Sequence, residues 1–129
     1  MARIYTFRGL TIEELQKLSF EEFTALLKSR QRRAIARMGI QYKAFIAKVE
    51  VAKKKGKPIV KTHERDAVIL PSWVGMMFGV HNGKEFKQME IRAEMLGHRL
   101  GEFAFSTKRV QHSAPGIRAT RGSKFLAVK

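Results

Sequence analysis

No cysteine occurs among the 129 residues, and that absence removes three chemistries at once. There is no disulfide framework, no thiolate nucleophile and no cysteine-based zinc site. Long apolar runs are also missing. The longest, such as residues 67–71, fall well short of the ~20 residues that span a bilayer. Met1 opens no signal-peptide pattern, so the expectation is a soluble, intracellular chain with no membrane partner. Negative charge is scarce as well. Eleven Asp and Glu stand against 26 Lys and Arg, a formal net charge of +15, which exceeds what solubility asks of a small domain. A polyanion is the natural partner. At this length the chain fits one domain that buries roughly two-thirds of its unfolded surface.

The charge is segregated. Residues 1–27 hold three basic and four acidic side chains, and residues 66–103 hold four and five, so both stretches are near neutral. Residues 28–65 hold thirteen basic against two acidic, and residues 104–129 six against none. A surface serving only solubility would scatter both signs. Two basic arms flanking a neutral, apolar-rich centre are the footprint of a chain that lies along phosphates. Three regions follow: a helical N-terminal region at 1–58, an α+β core at 59–103 and an extended basic tail at 104–129.

Local signals show how the arms are presented. Thr11 with Glu14, and Ser19 with Glu22, are capping boxes, with Leu10 and Leu15, then Leu18 and Phe23, placed as hydrophobic staples. Two short helices are expected there. They bury Leu15, Leu18, Phe23, Leu26 and Leu27 and leave four glutamates to water and the helix N-termini. Over residues 30–39 a helix carries Arg30, Arg32, Arg33 and Arg37 on most of the circumference left by Ile35 and Met38. A guanidinium fork grips phosphate bidentately, which an ammonium cannot do. Tyr42, Phe45, Ile46 and Val49 then predict a helix over 41–55, stopped by Gly56 with Pro58 beyond. Lys53, Lys54, Lys55 and Lys57 suit a helix C-terminus, but four lysines in five residues exceed that need.

From residue 59 the period becomes extended. Residues 59–62 and 67–70 are β-prone, and Pro71-Ser72 breaks the run. Two β-like runs then flank Asn82-Gly83, the dipeptide of type I′ hairpins. A two-residue loop there pairs His81 with Lys84 and Gly79 with Phe86. Met76, Phe78, Val80, Met89 and Ile91 then share the core face, and Phe86 covers Gly79 on the other, where packing is its expected role and stacking on a base the alternative.

Residues 95–103, MLGHRLGEF, set two glycines around His98 and Arg99. The preceding residues suffice for one or two helical turns that Gly97 would end, and Gly101 would close a second. Charged neighbours exclude a glycine-based helix-dimer seam, and His98 has no serine or cysteine at catalytic spacing. Glycine permits close backbone approach, so Gly97, His98 and Arg99 are candidates to meet phosphate or ribose. The tail lacks acids and any sustained apolar period. Burial alone cannot offset its ordering entropy, and it is expected to be disordered when free. Its candidate contacts are Lys108, Arg109, His112, Arg118, Arg121 and Lys124, with the closing Phe125-Leu126-Ala127-Val128 as an apolar anchor.

The strings LPSWVG, VHNGKEF, EMLGHRLGEF and RVQHSAPG, in this order and spacing, resemble the universal small-subunit ribosomal protein family S-nineteen. The helical region before Gly56 and the long basic tail make the chain similar to the archaeal and eukaryotic branch, and the resemblance covers essentially the whole chain. It implies a three-stranded sheet with helices, seated on ribosomal RNA in the head of the small subunit. It also implies a neighbouring head protein of the S-thirteen family, a place near the bridge to the large subunit, and a tail reaching toward tRNA. Joined to the patterns above, the fold class is α+β: a small three-stranded, mostly antiparallel sheet with N-terminal helices and an extended basic C-terminal tail. Lys61, His63 and Arg65, and His81, Asn82 and Lys84 at the hairpin tip, join the arginines and lysines as expected RNA contacts. The implied location is the cytoplasmic ribosome. Phe105 stands where the family has proline, and Ser113 and Arg118 stand where it has glycine.

Two other functions fit parts of the chain. Residues 63–66 spell HERD, which offers His63, Glu64 and Asp66 to acid-base or metal chemistry on nucleic acid. It resembles a kinase catalytic loop by letters only, since the glycine-rich loop, the strand lysine and the DFG triplet are absent. No catalytic residue, metal or cofactor is expected. A DNA-binding or chromatin protein would instead lay the Arg30–Arg37 helix in a groove, with a stable free fold and tight duplex binding.

Overall fold

The structure, a computed structural model, describes residues 5–110. Both capping boxes close, and they start α1 (Ile12–Lys17) and α2 (Phe20–Leu26). In each, the carboxylate at the third helical position accepts from the cap backbone N–H at 2.8 Å, Glu14 from Thr11 and Glu22 from Ser19. The expected stripe is turned inward: Leu15, Phe23 and Leu27 are buried, while Leu18 and Leu26 are half-buried.

The two helical stretches expected at 30–39 and 41–55 are one element, α3 (Ser29–Lys54), broken at Gly39, where φ is 46° and ψ −114°. That positive φ is open to glycine and costly for other residues. Beyond the break, Tyr42, Phe45, Val49 and Ala52 bury one face. Gly56 ends the helix at φ 61°. Its N–H donates to the Lys53 carbonyl and that of Lys57 to the Ala52 carbonyl, both at 3.1 Å, which satisfies carbonyls that every helix end leaves open.

The sheet has the order β1 (Val60–Thr62), β2 (Met77–His81), β3 (Phe86–Glu90). It is mixed: β1 runs parallel to β2, with Val60 opposite Phe78, and β2 antiparallel to β3. The hairpin register differs from the two-residue expectation, because His81 faces Phe86 and Gly79 faces Gln88. The cause is the Asn82 side chain. Its Oδ1 accepts from the N–H of Lys84 at 3.0 Å and of Glu85 at 2.9 Å, an Asx-type turn that makes a four-residue loop more favourable than the type I′ one. The slip is an even number of residues, so the faces keep their identity. Phe78, Val80, Met89 and Ile91 are buried, and a Cβ added to Gly79 would lie 3.6 Å from Phe86 Cβ on the other face.

Residues 67–70, expected as a strand, are extended and buried but join no strand of the sheet. Their hydrogen bonds go to the MLGHRLGEF loop: Ile69 N–H donates to the His98 carbonyl at 2.9 Å and Leu100 N–H to that of Ala67 at 3.0 Å. Gly97 does end a short 3₁₀ turn, Ala93–Met95, with φ 76°. Gly101 does not close the next turn but sits inside it, within Leu100–Glu102, where an added Cβ would lie 3.0 Å from the Arg65 carbonyl oxygen.

One hydrophobic cluster joins all of these elements. Trp73 packs edge-on to Phe45 with centroids 5.5 Å apart and against Phe78 at 5.4 Å. Tyr42, buried between α3 and residues 67–70, donates its hydroxyl to the Val68 carbonyl at 2.7 Å. Helices and sheet therefore fold as one body, and the cationic side chains are left on its outside. The tail is described only as far as Val110, and His112, Arg118, Arg121, Lys124 and the closing apolar residues lie outside the described residues.

Candidate nucleic-acid interface

Arg30, Arg33 and Arg37 recur at three and four along α3, so they share a stripe of the helix whose inner side buries Ile35. Arg99 comes to the same stripe from the MLGHRLGEF loop, 62 positions beyond Arg37. Together with Ser29 and Ala34 these four arginines line a cleft of about 270 Å³ that has no carboxylate in its wall. Arg99 Nη1 lies 3.0 Å from Asp66 Oδ1, an ion pair whose carboxylate is largely exposed. Such a pair adds little stability, but it orients the fork. The start of α3 has no side-chain cap, so its positive dipole end adds to the field. Guanidinium groups converging on a concave surface suit a phosphate oxygen better than any neutral ligand. Arg32, on the same helix, is exposed and outside the cleft.

A second basic surface lies where α3 ends. Lys48, Lys55, Lys57 and Lys61 rim a groove of about 520 Å³ floored by Val51, Ala52, Ile59 and Val60. Lys48 was not among the residues anticipated from sequence; its signal, a lysine seven positions before Lys55 on one helix face, is easily lost in an amphipathic helix. Lys54 is exposed at the same end. Lys53 is exposed and donates to the Ser72 carbonyl at 3.2 Å, which ties the helix end to the turn at residues 71–73.

The outer sheet face carries an aromatic group. His63 and His81 stack with ring centroids 4.4 Å apart, and both meet Phe86, at 5.1 and 4.9 Å. Lys61 Nζ stands 5.6 Å over the Phe86 ring. His81 Nδ1 accepts from the Gly83 N–H at 3.1 Å. In the neutral ring Nε2 therefore carries the proton and is a donor. Lys84 is exposed at the tip, whereas the Asn82 carbonyl oxygen is engaged by the turn.

Three anticipated contacts have other employment. Arg65 does not extend toward a ligand: its Nη1 donates to the His81 carbonyl at 2.7 Å, and its Nη2 to the carbonyls of Gly101 at 3.0 Å and Ala104 at 2.6 Å. It is a clamp between the hairpin, the loop and the start of the tail. Gly97 does not offer its amide outward, because that N–H donates to Ile69 at 3.4 Å, and the glycine's close approach is to Leu27 and Phe7. His98 is exposed, but its Nδ1 lies 2.6 Å from Glu102 Oε2. Lys108 and Arg109 are exposed beyond the clamp. The HERD side chains do not converge. His63 stacks on His81, the Glu64 N–H donates to Thr62 Oγ1, and Asp66 faces Arg99. Among the described residues no three His, Asp or Glu side chains are grouped to hold a metal ion, and no helix is long and apolar enough to cross a membrane.

A family model described as Ribosomal protein S19 matches residues 33–112. The chain is also similar to the small ribosomal subunit protein uS19 of the archaeon Methanocella arvoryzae, with 48% identity over 126 residues, 97% of this chain and 87% of that protein. The matched span takes in Arg33, Arg37, the lysine-rimmed groove, the hairpin and the MLGHRLGEF loop.

Proposed function

The chain belongs to the ribosomal protein S19 family, in its archaeal and eukaryotic type, and from that premise we propose that it holds ribosomal RNA in the head of the small subunit through its two basic surfaces. It is a structural protein of the small subunit of the cytoplasmic ribosome. The observation that carries the finer reading is the convergence of Arg30, Arg33, Arg37 and Arg99 on one concave site. Among the described residues Asp66 balances Arg99, and the neighbouring Arg30, Arg33 and Arg37 repel one another unless a further anion lies between them. The lysine-rimmed groove extends the positive surface along the helix and the edge strand.

In this reading the arginine cleft and the groove track phosphates and fix orientation without reading sequence. The His63, His81 and Phe86 group offers flat faces and a donor to sugar or base. The tail beyond Val110 carries the remaining charge toward the tRNA sites. A neighbouring head protein of the S-thirteen family and the bridge to the large subunit complete the proposed surroundings. We assign no reaction to the chain. The rival reading as a duplex-DNA binder receives less support, because the arginine stripe faces a cleft shared with Arg99 rather than projecting as a free recognition helix.

Cell fractionation on a sucrose gradient at moderate salt tests this. Co-sedimentation of the chain with small subunits is the expected result. Recovery only as free protein, or with chromosomal DNA, overturns it.

A further inference from the structure

A smaller cavity, sharing no lining residue with either basic surface, lies where the first described residues meet the start of α3 and the MLGHRLGEF loop. It measures about 220 Å³, below the ~300–1,000 Å³ of sites that take drug-sized molecules, so it suits one small planar group. Phe7 and Leu27 supply apolar wall, Tyr5 stands partly exposed, and Arg8 and Lys28 bring positive charge. Gln31 also lines it, and Gln31 Oε1 is buried with no hydrogen-bond partner among the described residues. A buried acceptor left unpaired is costly, which points to a donor that residues 5–110 do not supply. Arg8 is the one non-glycine among the described residues with positive φ, 56°. It is held there by reciprocal backbone bonds between Phe7 and Leu10 at 2.9 and 3.1 Å. With Gly9 at φ 84°, the two make the tight turn of a two-residue hairpin, which fixes where Arg8 stands beside the cavity.

We propose that this cavity receives one unstacked nucleobase, with Gln31 Oε1 accepting an N–H from the base edge. The Tyr5 ring offers a stacking face, and Arg8 and Lys28 flank the phosphates on either side. The assignment rests on the RNA-binding reading and deepens it. The arginine cleft grips backbone and is blind to sequence, whereas a base edge read by an amide is sequence-selective. Of the two cations, Lys28 opens the basic arm at 28–65, whereas Arg8 comes from the near-neutral stretch 1–27 and carries no such signal.

The test uses small subunits assembled with the full chain, either wild type, Gln31→Met or Tyr5→Ala. Gln31→Met keeps the length of the side chain and removes the acceptor. Tyr5→Ala removes the stacking ring at an exposed position and carries the test alone if the first variant fails to assemble. Base-edge reactivity is read with dimethyl sulfate and carbodiimide, and backbone protection with hydroxyl radicals. At least one nucleotide should gain base-edge reactivity several-fold in the variants, with the backbone footprint intact. Unchanged base-edge reactivity beside an intact backbone footprint overturns the nucleobase site and leaves the RNA reading standing, as does cross-linking that puts a protein side chain in the cavity. Absence of any footprint from the wild-type chain removes both.

Discussion

Replacing Arg30, Arg33 and Arg37 together with Gln empties one side of the cleft while sparing the fold. All three are exposed, Ile35 carries the packing of that half of α3, and Gln has nearly the helix propensity of Arg. If each guanidinium neutralises one phosphate, three fewer counterions are released on binding, so the slope of log K against log salt becomes shallower by about 2–3. Raising salt from about 50 to 200 mM would then cost the variant roughly 20- to 40-fold less affinity than it costs the wild type, although the variant binds more weakly throughout. The assay is fluorescence anisotropy on a transcript of the small-subunit head RNA over a salt series, with circular dichroism to verify helicity. Arg32→Gln, one position from Arg33 but outside the cleft, is the comparison and should shift the slope by at most about one. Parallel salt slopes for the triple variant and the wild type would refute the assignment of these arginines to phosphate.

Three further outcomes follow from the geometry. Arg65→Met strands the carbonyls of His81, Gly101 and Ala104. It should lower stability by about 2–4 kcal/mol in a denaturant titration with little change in salt slope, and Arg65→Lys should restore only part, since an ammonium lacks the planar fork; a shallower slope with unchanged stability would make Arg65 a phosphate contact after all. Tyr42→Phe removes the donor to Val68 and should cost about 1–2 kcal/mol. Burial raises the folded Tyr42 pKa above its ordinary value. Above pH ~10 the unfolded chain therefore holds fewer protons, and wild-type stability should fall with rising pH by up to about 1.4 kcal/mol per unit, a slope that Tyr42→Phe abolishes. Thr11 and Ser19 lower the pKa of Glu14 and Glu22, chiefly through their backbone N–H groups and also through their hydroxyls. That stabilisation is present above the ordinary carboxylate pKa and lost as pH falls through the lowered folded values. Glu14→Gln/Glu22→Gln should flatten the acid limb of the melting-temperature profile, and an unchanged limb would count against the caps.

What could be read from the sequence was whatever local chemistry decides. The capping boxes, the Gly56 stop and the inward face of the hairpin all depend on residues a few positions apart, and they formed as patterned. The parallel pairing of β1 with β2 joins residues 18 positions apart, Val60 with Phe78, and no period in the sequence encodes that. The hairpin register turned on one side-chain oxygen. Asn82 favours a type I′ turn by its backbone and a longer loop by its amide, and the amide prevailed. In the candidate site, the stripe of Arg30, Arg33 and Arg37 is visible as a helical period, but its completion by Arg99 waits on the fold. Arg65 shows the converse difficulty. A fork that grips phosphate also grips backbone carbonyls, and only the tertiary placement of Gly101 and Ala104 distinguishes the two uses.

Ultraviolet cross-linking of native small subunits, followed by mass spectrometry of the nucleotide-bearing peptides, interrogates the cationic surfaces in place. Nucleotide adducts should fall on peptides spanning residues 28–37 and 95–103, which bound the arginine cleft, and on 48–63, which bound the lysine groove and its neighbouring histidine. Adducts that avoid all three segments, or protein-to-protein links from Arg30, Arg33 and Arg37 to acidic side chains of a neighbour, would contradict an RNA-facing role for them.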